Sequence, residues 1–168
     1  MADTKTFSIV KPSFWSGRRE VKDRHGGGVG HYTSTSVWGS KAEFDMHGRR
    51  FRFATKGWEG TRAEMTGMSG QVVATILPLS WWGTKYTLTH AGKEYAWSPN
   101  GWGTGFSIQA GEKRIVQVKC GGYFKPGSIT VEGEVPEQDA LPLALFGLFY
   151  LQVYAAQMSG GGAVVAAT

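Results

Sequence analysis

Apolar and polar side chains alternate in short runs over residues 1–135, and the alternation stops at residue 139. Period-2 alternation marks strands with one face turned to a core. Thr6-Phe7-Ser8-Ile9-Val10 is the first run. Phe44-Asp45-Met46, His47-Gly48 and Arg49-Arg50-Phe51-Arg52-Phe53 form the clearest hairpin, with Phe51 and Phe53 on one face and Arg50 and Arg52 on the other. Tyr86 and Leu88, Tyr95 and Trp97, Phe106 and Ile108, Val116 and Val118, and Ile129 and Val131 repeat the pattern. Gln71 to Leu79 is almost continuously apolar, which predicts a strand buried on both faces. Ser16 to Gly30 is basic and Gly-rich and reads as a mobile loop around a short strand; Lys56 to Gly70 is also weak in regular signal. MHGRRFRF, HAGKEYAW and QAGEKRIV share a turn glycine followed by charged residues and a branched or aromatic pair. Their glycines sit at 48, 92 and 111, too irregular for a solenoid or propeller.

From Ala140 the sequence ALPLALFGLFYLQVYAAQM has no period-2 pattern and is apolar on every side of a helix. Asp139 is the expected N-cap, Pro142 falls in the expected first turn, and Ser159 to Gly162 ends the segment. Gly147 in its interior suggests close approach by another element, since Gly costs about 1 kcal/mol there against Ala. A helix over 139–158 is roughly 28 Å long. It needs enclosure, by a bilayer or by the protein's own sheet. Glu134, Glu137 and Asp139 precede it and nothing basic follows, which disfavours a cytoplasmic anchor. The expected fold is therefore mainly β: a closed antiparallel barrel of about ten to twelve strands around one hydrophobic C-terminal helix. It forms a single domain over 1–158, with strands in 1–135, the central helix over 139–158, and a Gly/Ala-rich tail over 159–168.

Composition adds the location of charge. Net charge is +5, but residues 1–62 carry +6 and residues 126–168 carry −4. The basic surface thus lies early in the chain and suits an anionic phospholipid surface or an acidic protein partner. Cys120 is the single cysteine, so an intrachain disulfide and a multi-cysteine zinc site are both excluded. A polar N-terminal segment without an apolar stretch, together with the lone cysteine, sets the expectation of a cytoplasmic protein, peripheral to a membrane.

The hairpins above, followed by GSITVEGEVPEQDALPLALFGLFYLQVYAAQ, resemble the tubby C-terminal-like superfamily, which includes tubby domains, phospholipid scramblases and LURP-one-related proteins. The resemblance spans about Thr6 to Met158 and is one of architecture. It implies a closed barrel around a hydrophobic C-terminal helix and, for tubby domains, phosphoinositide binding through a basic pocket. No tubby lipid-binding motif matches residue by residue, and a palmitoylation segment and calcium loop of the scramblase kind are absent from the sequence.

The candidate anion-binding residues are Arg18, Arg19, Lys22 and Arg24 in the basic loop, joined by Arg49, Arg50 and Arg52 if that hairpin lies alongside. Base-stacking aromatics do not interleave with them, which argues against nucleic acid. His25, His31, His47 and His90 lack a shared metal-ligand spacing, and no metal or cofactor is expected. No Ser lies in G-x-S-x-G, and Gly26 to Gly30 lacks a P-loop ending. Cys120 reads as a small strand residue, and Glu132 with Glu134 as an exposed strand edge. Trp81, Trp82, Trp97 and Trp102 read as core and barrel-end packing, with the lining of a ligand site or a membrane-facing rim as the alternative. The functional expectation is a non-enzymatic barrel that binds anionic phospholipid surfaces. The alternatives are a C-terminally anchored protein with a cytoplasmic β domain and, third, an enzyme working inside a barrel, which a central helix leaves little room for.

Overall fold

The alternating runs pair in chain order into one antiparallel sheet that closes on itself. The computed structural model describes residues 4–11, 18–36, 40–56, 62–78, 86–100, 104–121, 126–132 and 135–156. Twelve strands are β1 (Lys5–Val10), β2 (Arg18–Asp23), β3 (Gly28–Ser34), β4 (Lys41–Met46), β5 (Arg49–Lys56), β6 (Arg62–Thr66), β7 (Val72–Pro78), β8 (Tyr86–His90), β9 (Lys93–Pro99), β10 (Gly105–Ala110), β11 (Lys113–Lys119) and β12 (Gly127–Val131), followed by α1 (Glu137–Ala156). Phe7 of β1 stands opposite Ile129 of β12, and this pairing closes the barrel. The three hairpins with a shared turn glycine are β4–β5, β8–β9 and β10–β11. In two of them both central turn residues have positive φ: His47 and Gly48 at 50° and 81°, Ala91 and Gly92 at 51° and 77°. That conformation matches the twist of the flanking strands, which is why these turns hold only two residues.

Two segments differ from expectation. Arg18 to Ser34 is no loop but the hairpin β2–β3, closed where the Asp23 carboxylate accepts the His25 and Gly27 amides, each at 2.9 Å. Those bonds, the Gly27 one foremost, hold the Asp23 carboxyl below its ordinary value. β7 is buried on one face only: Ala74 and Ile76 point inward while Leu77 is 37% exposed. An antiparallel barrel has no layer outside it, so an apolar outer position stays in water. Arg62–Thr66, in the other weak segment, is a full strand. Residues 16–17, 57–61, Leu79, Ser80, Trp81, Trp82, Trp102, Glu134, 157–158 and the tail over 159–168 lie outside the described residues.

The helix starts two residues earlier than expected. The Pro136 carbonyl accepts the Ala140 amide at 2.8 Å and the Asp139 amide at 3.0 Å, so Pro136 holds the cap position. Asp139 sits inside the first turn, where with Glu137 it complements the positive helix end. Pro142 is thereby moved past the first turn. Its missing N–H would have bonded the Gln138 carbonyl. Arg49 Nη1 donates to that oxygen instead, at 3.3 Å. Every residue from Ala140 to Leu151 is buried by the strands. Phe53 packs on Phe146 and Phe149 with ring centroids 5.4 and 5.8 Å apart, and Trp97 meets Tyr150 edge-on at 5.0 Å. Among the described residues no helix is long and apolar enough to cross a membrane. The helix runs from the barrel end that holds the turns at 24–27, 47–48, 91–92 and 111–112, here the proximal end, to the distal end.

Candidate anion-binding surface

Strand parity sorts the basic residues of β2. Val21 is fully buried, so Arg19, two positions away, shares its inward side, while Arg18, Glu20 and Lys22 lie on the outer side. Arg19 reaches the distal part of the helix. With the Gln152 amide nitrogen donating to the Tyr32 hydroxyl at 3.1 Å, the Gln152 oxygen accepts both Arg19 Nη1 and Nη2, at 2.8 and 3.1 Å. The Arg19 guanidinium also lies 6.0 Å from the centre of the Tyr32 ring. Burial pushes the Tyr32 phenol far above its ordinary value, against a smaller downward pull from the Arg19 charge. Arg19 is thus a tie between sheet and helix. Replacing it with Met is expected to lower stability by about 1–3 kcal/mol, the worth of hydrogen bonds to a charged donor. Vesicle binding should stay unchanged; thermal melts and flotation of Arg19→Met check both halves.

The β5 cations are also engaged. Arg50 Nε donates to Asp45 Oδ1 at 2.8 Å, and Arg52 Nε lies 3.5 Å from Glu43 Oε1, both across the β4–β5 pair. Arg49 holds Gln138, as above, and lies over the Phe51 ring at 4.9 Å. Nor does this hairpin lie alongside β2: β3 and β4 intervene, a span of roughly 14 Å at ordinary strand spacing. Arg24 is in the proximal turn, its Nε donating to His25 Nε2 at 3.3 Å. The seven expected residues therefore do not form one site. Arg18 and Lys22 share an outer face with Glu20, and the others are scattered or committed to the fold.

The structure gathers a different set. Lys11, Arg18, Lys41, Lys56, Arg62 and Lys119 all sit where β1, β2, β4, β5, β6 and β11 meet the distal end, and all six are exposed. They occupy six of the eight adjacent strands from β6 round to β11. No described residue at this rim is acidic; Glu20, Glu43 and Glu64 lie two positions further down β2, β4 and β6. The proximal end mixes signs, with Lys5 on Glu137 at 3.5 Å and Arg114 on Glu132 at 3.2 Å. The signal in the sequence was the placement of each of these cations at a strand boundary.

Little else gathers chemistry. Among the described residues no group of three or more His, Cys, Asp or Glu is placed to hold a metal. Cys120 follows β11, and desolvation raises its thiol above the ordinary value, with a smaller opposing effect of the Arg19 charge. A raised thiol stays protonated and is a poor nucleophile. His47 lies in the β4–β5 turn, and His90 ends β8.

The geometry defines a closed twelve-stranded antiparallel barrel with a helix as its core. The crystal structure of a protein from Arabidopsis thaliana, AT5G01750, is similar, with a TM-score of 0.61 and 15% identity, covering 90% of this chain and 91% of that one. At that identity the likeness is one of fold. No family model matches the chain, and no curated protein matches it.

Proposed function

We propose that this chain is a non-enzymatic barrel of the tubby-like type that binds anionic phospholipid surfaces as a peripheral protein on the cytoplasmic side. The observation that carries the reading is the filled interior. With Ala140 to Leu151 buried inside the strands, the volume where a barrel enzyme would hold substrate is taken by Leu145, Phe149 and their neighbours. Recognition then falls to the outer surface, and the chain's net charge of +5 favours an anionic partner. Basic residues near an anionic bilayer contribute about 1 kcal/mol each, so a few exposed cations suffice for reversible attachment. The test is flotation of the full chain with phosphatidylcholine vesicles, alone and with added phosphatidylserine. The expected result is co-flotation that requires phosphatidylserine and fades as salt is raised. Equal behaviour with both vesicle types would remove the reading and leave the cations as solvated surface.

A further inference from the structure

We propose that the protein docks end-on, its distal rim against the bilayer, through Lys11, Arg18, Lys41, Lys56, Arg62 and Lys119. This rests on the lipid-binding reading above and names the surface that performs it. Eight adjacent strands at ordinary spacing span an arc of roughly 35 Å. Six cations on that arc stand one or two strand spacings apart, roughly 5–10 Å, which is comparable with the Debye length of about 8 Å at physiological salt, so their potentials overlap. Lys56 and Arg62 face each other directly across β5 and β6. Like charges in that register destabilise a sheet. Lys11, Lys41, Lys56, Arg62 and Lys119 make no ion pair among the described residues. The proximal cations Lys5 and Arg114 do.

Shape selects a bilayer over a linear polyanion. Cations set round the end of a cylinder define a disc, and a plane meets them all at once. A nucleic-acid strand needs a groove that tracks its backbone and would touch only part of the arc.

The experiment compares two variants of equal charge, K41Q/R62Q at the distal rim and K93Q/K113Q at the proximal end, with the wild type. Phosphatidylserine vesicles are the probe, read by flotation. At about fivefold per cation, the distal variant should lose on the order of 25-fold in partitioning, and the proximal variant no more than about twofold. Equal losses in the two variants overturn end-on docking while the lipid-binding reading stands. A wild type that does not float overturns that reading itself. If the distal variant loses affinity for duplex DNA but keeps its vesicle binding, the rim is a nucleic-acid surface and the membrane assignment is overturned.

Discussion

A chain from which residues 137–168 are removed will not fold into the barrel. The helix contributes Leu141, Leu143, Leu145, Phe146, Leu148, Phe149, Tyr150, Leu151 and Val153 to the core, each no more than 7% exposed. Burying side chains of this size is worth about 1.5–3 kcal/mol each. Nine of them together match or exceed the whole stability of a typical domain, about 5–15 kcal/mol. The loss is compounded because the inward faces of the strands, including Phe44, Phe53, Ile76, Leu88 and Ile108, would then line a water-filled channel. The sheet has no second layer to turn to. Circular dichroism melts and a one-dimensional NMR spectrum decide the matter: the truncated chain should show no cooperative transition and no dispersed methyl signals. A truncated chain that stays folded would mean the helix is an appendage, as a membrane anchor would be, and the filled-interior argument for function would fall with it.

The features legible in the sequence are those written in local patterns. Phe51 and Phe53 against Arg50 and Arg52 show their faces directly, and His47-Gly48 and Ala91-Gly92 show their turns. The all-round apolar segment at Ala140 to Leu151 shows that it must be enclosed, and in the structure the closed sheet encloses it. What stayed hidden depends on parity and on partners far along the chain. Arg19 reads as one more cation in a basic segment, yet one residue of parity places it on the inner side with Val21, and its partner Gln152 lies on the last element. The register shift between Val21 and Lys22 breaks the alternation just where it would have shown the strand. Asp139 is a good cap by type, but the Pro136 carbonyl begins the ladder, and Pro142 then depends on Arg49 from another strand. The distal rim was hidden for a different reason. Lys11, Lys41, Lys56, Arg62 and Lys119 are spread over 109 positions of chain, each unremarkable alone, and only the closed order of strands makes them neighbours.

The helix packs closely against the sheet at Gly147, and enlarging this residue should cost more than an exposed substitution. A Cβ there would stand 2.4 Å from Phe106 Cε2, 2.6 Å from Phe106 Cζ and 3.0 Å from Trp97 Nε1. Neither ring can withdraw easily. Trp97 is fully buried, 5.1 Å from Tyr86 and 5.0 Å from Tyr150 between centroids, and Phe106 lies 5.6 Å from Trp97. Two effects oppose each other in Gly147→Ala. Helix propensity favours Ala by about 1 kcal/mol. Overpacking a filled core costs about 1–3 kcal/mol. Contacts of 2.4 and 2.6 Å on rigid rings put the cost at the upper part of that range, so Gly147→Ala should be destabilising on balance. Gly147→Leu adds three more carbons to the same space and should cost at least about 3 kcal/mol. For a domain of this size that lowers the melting temperature by roughly 6–12 °C. The clash can be separated from a general intolerance of the helix by coupling. Phe106→Leu removes the ring atoms that the new Cβ meets, so the Gly147→Ala/Phe106→Leu pair should be more stable than the sum of its single changes, by about 0.5–3 kcal/mol. If Gly147→Ala alone raises the melting temperature, propensity outweighs packing there, and the helix does not approach β9 and β10 as closely as the Phe106 and Trp97 contacts require.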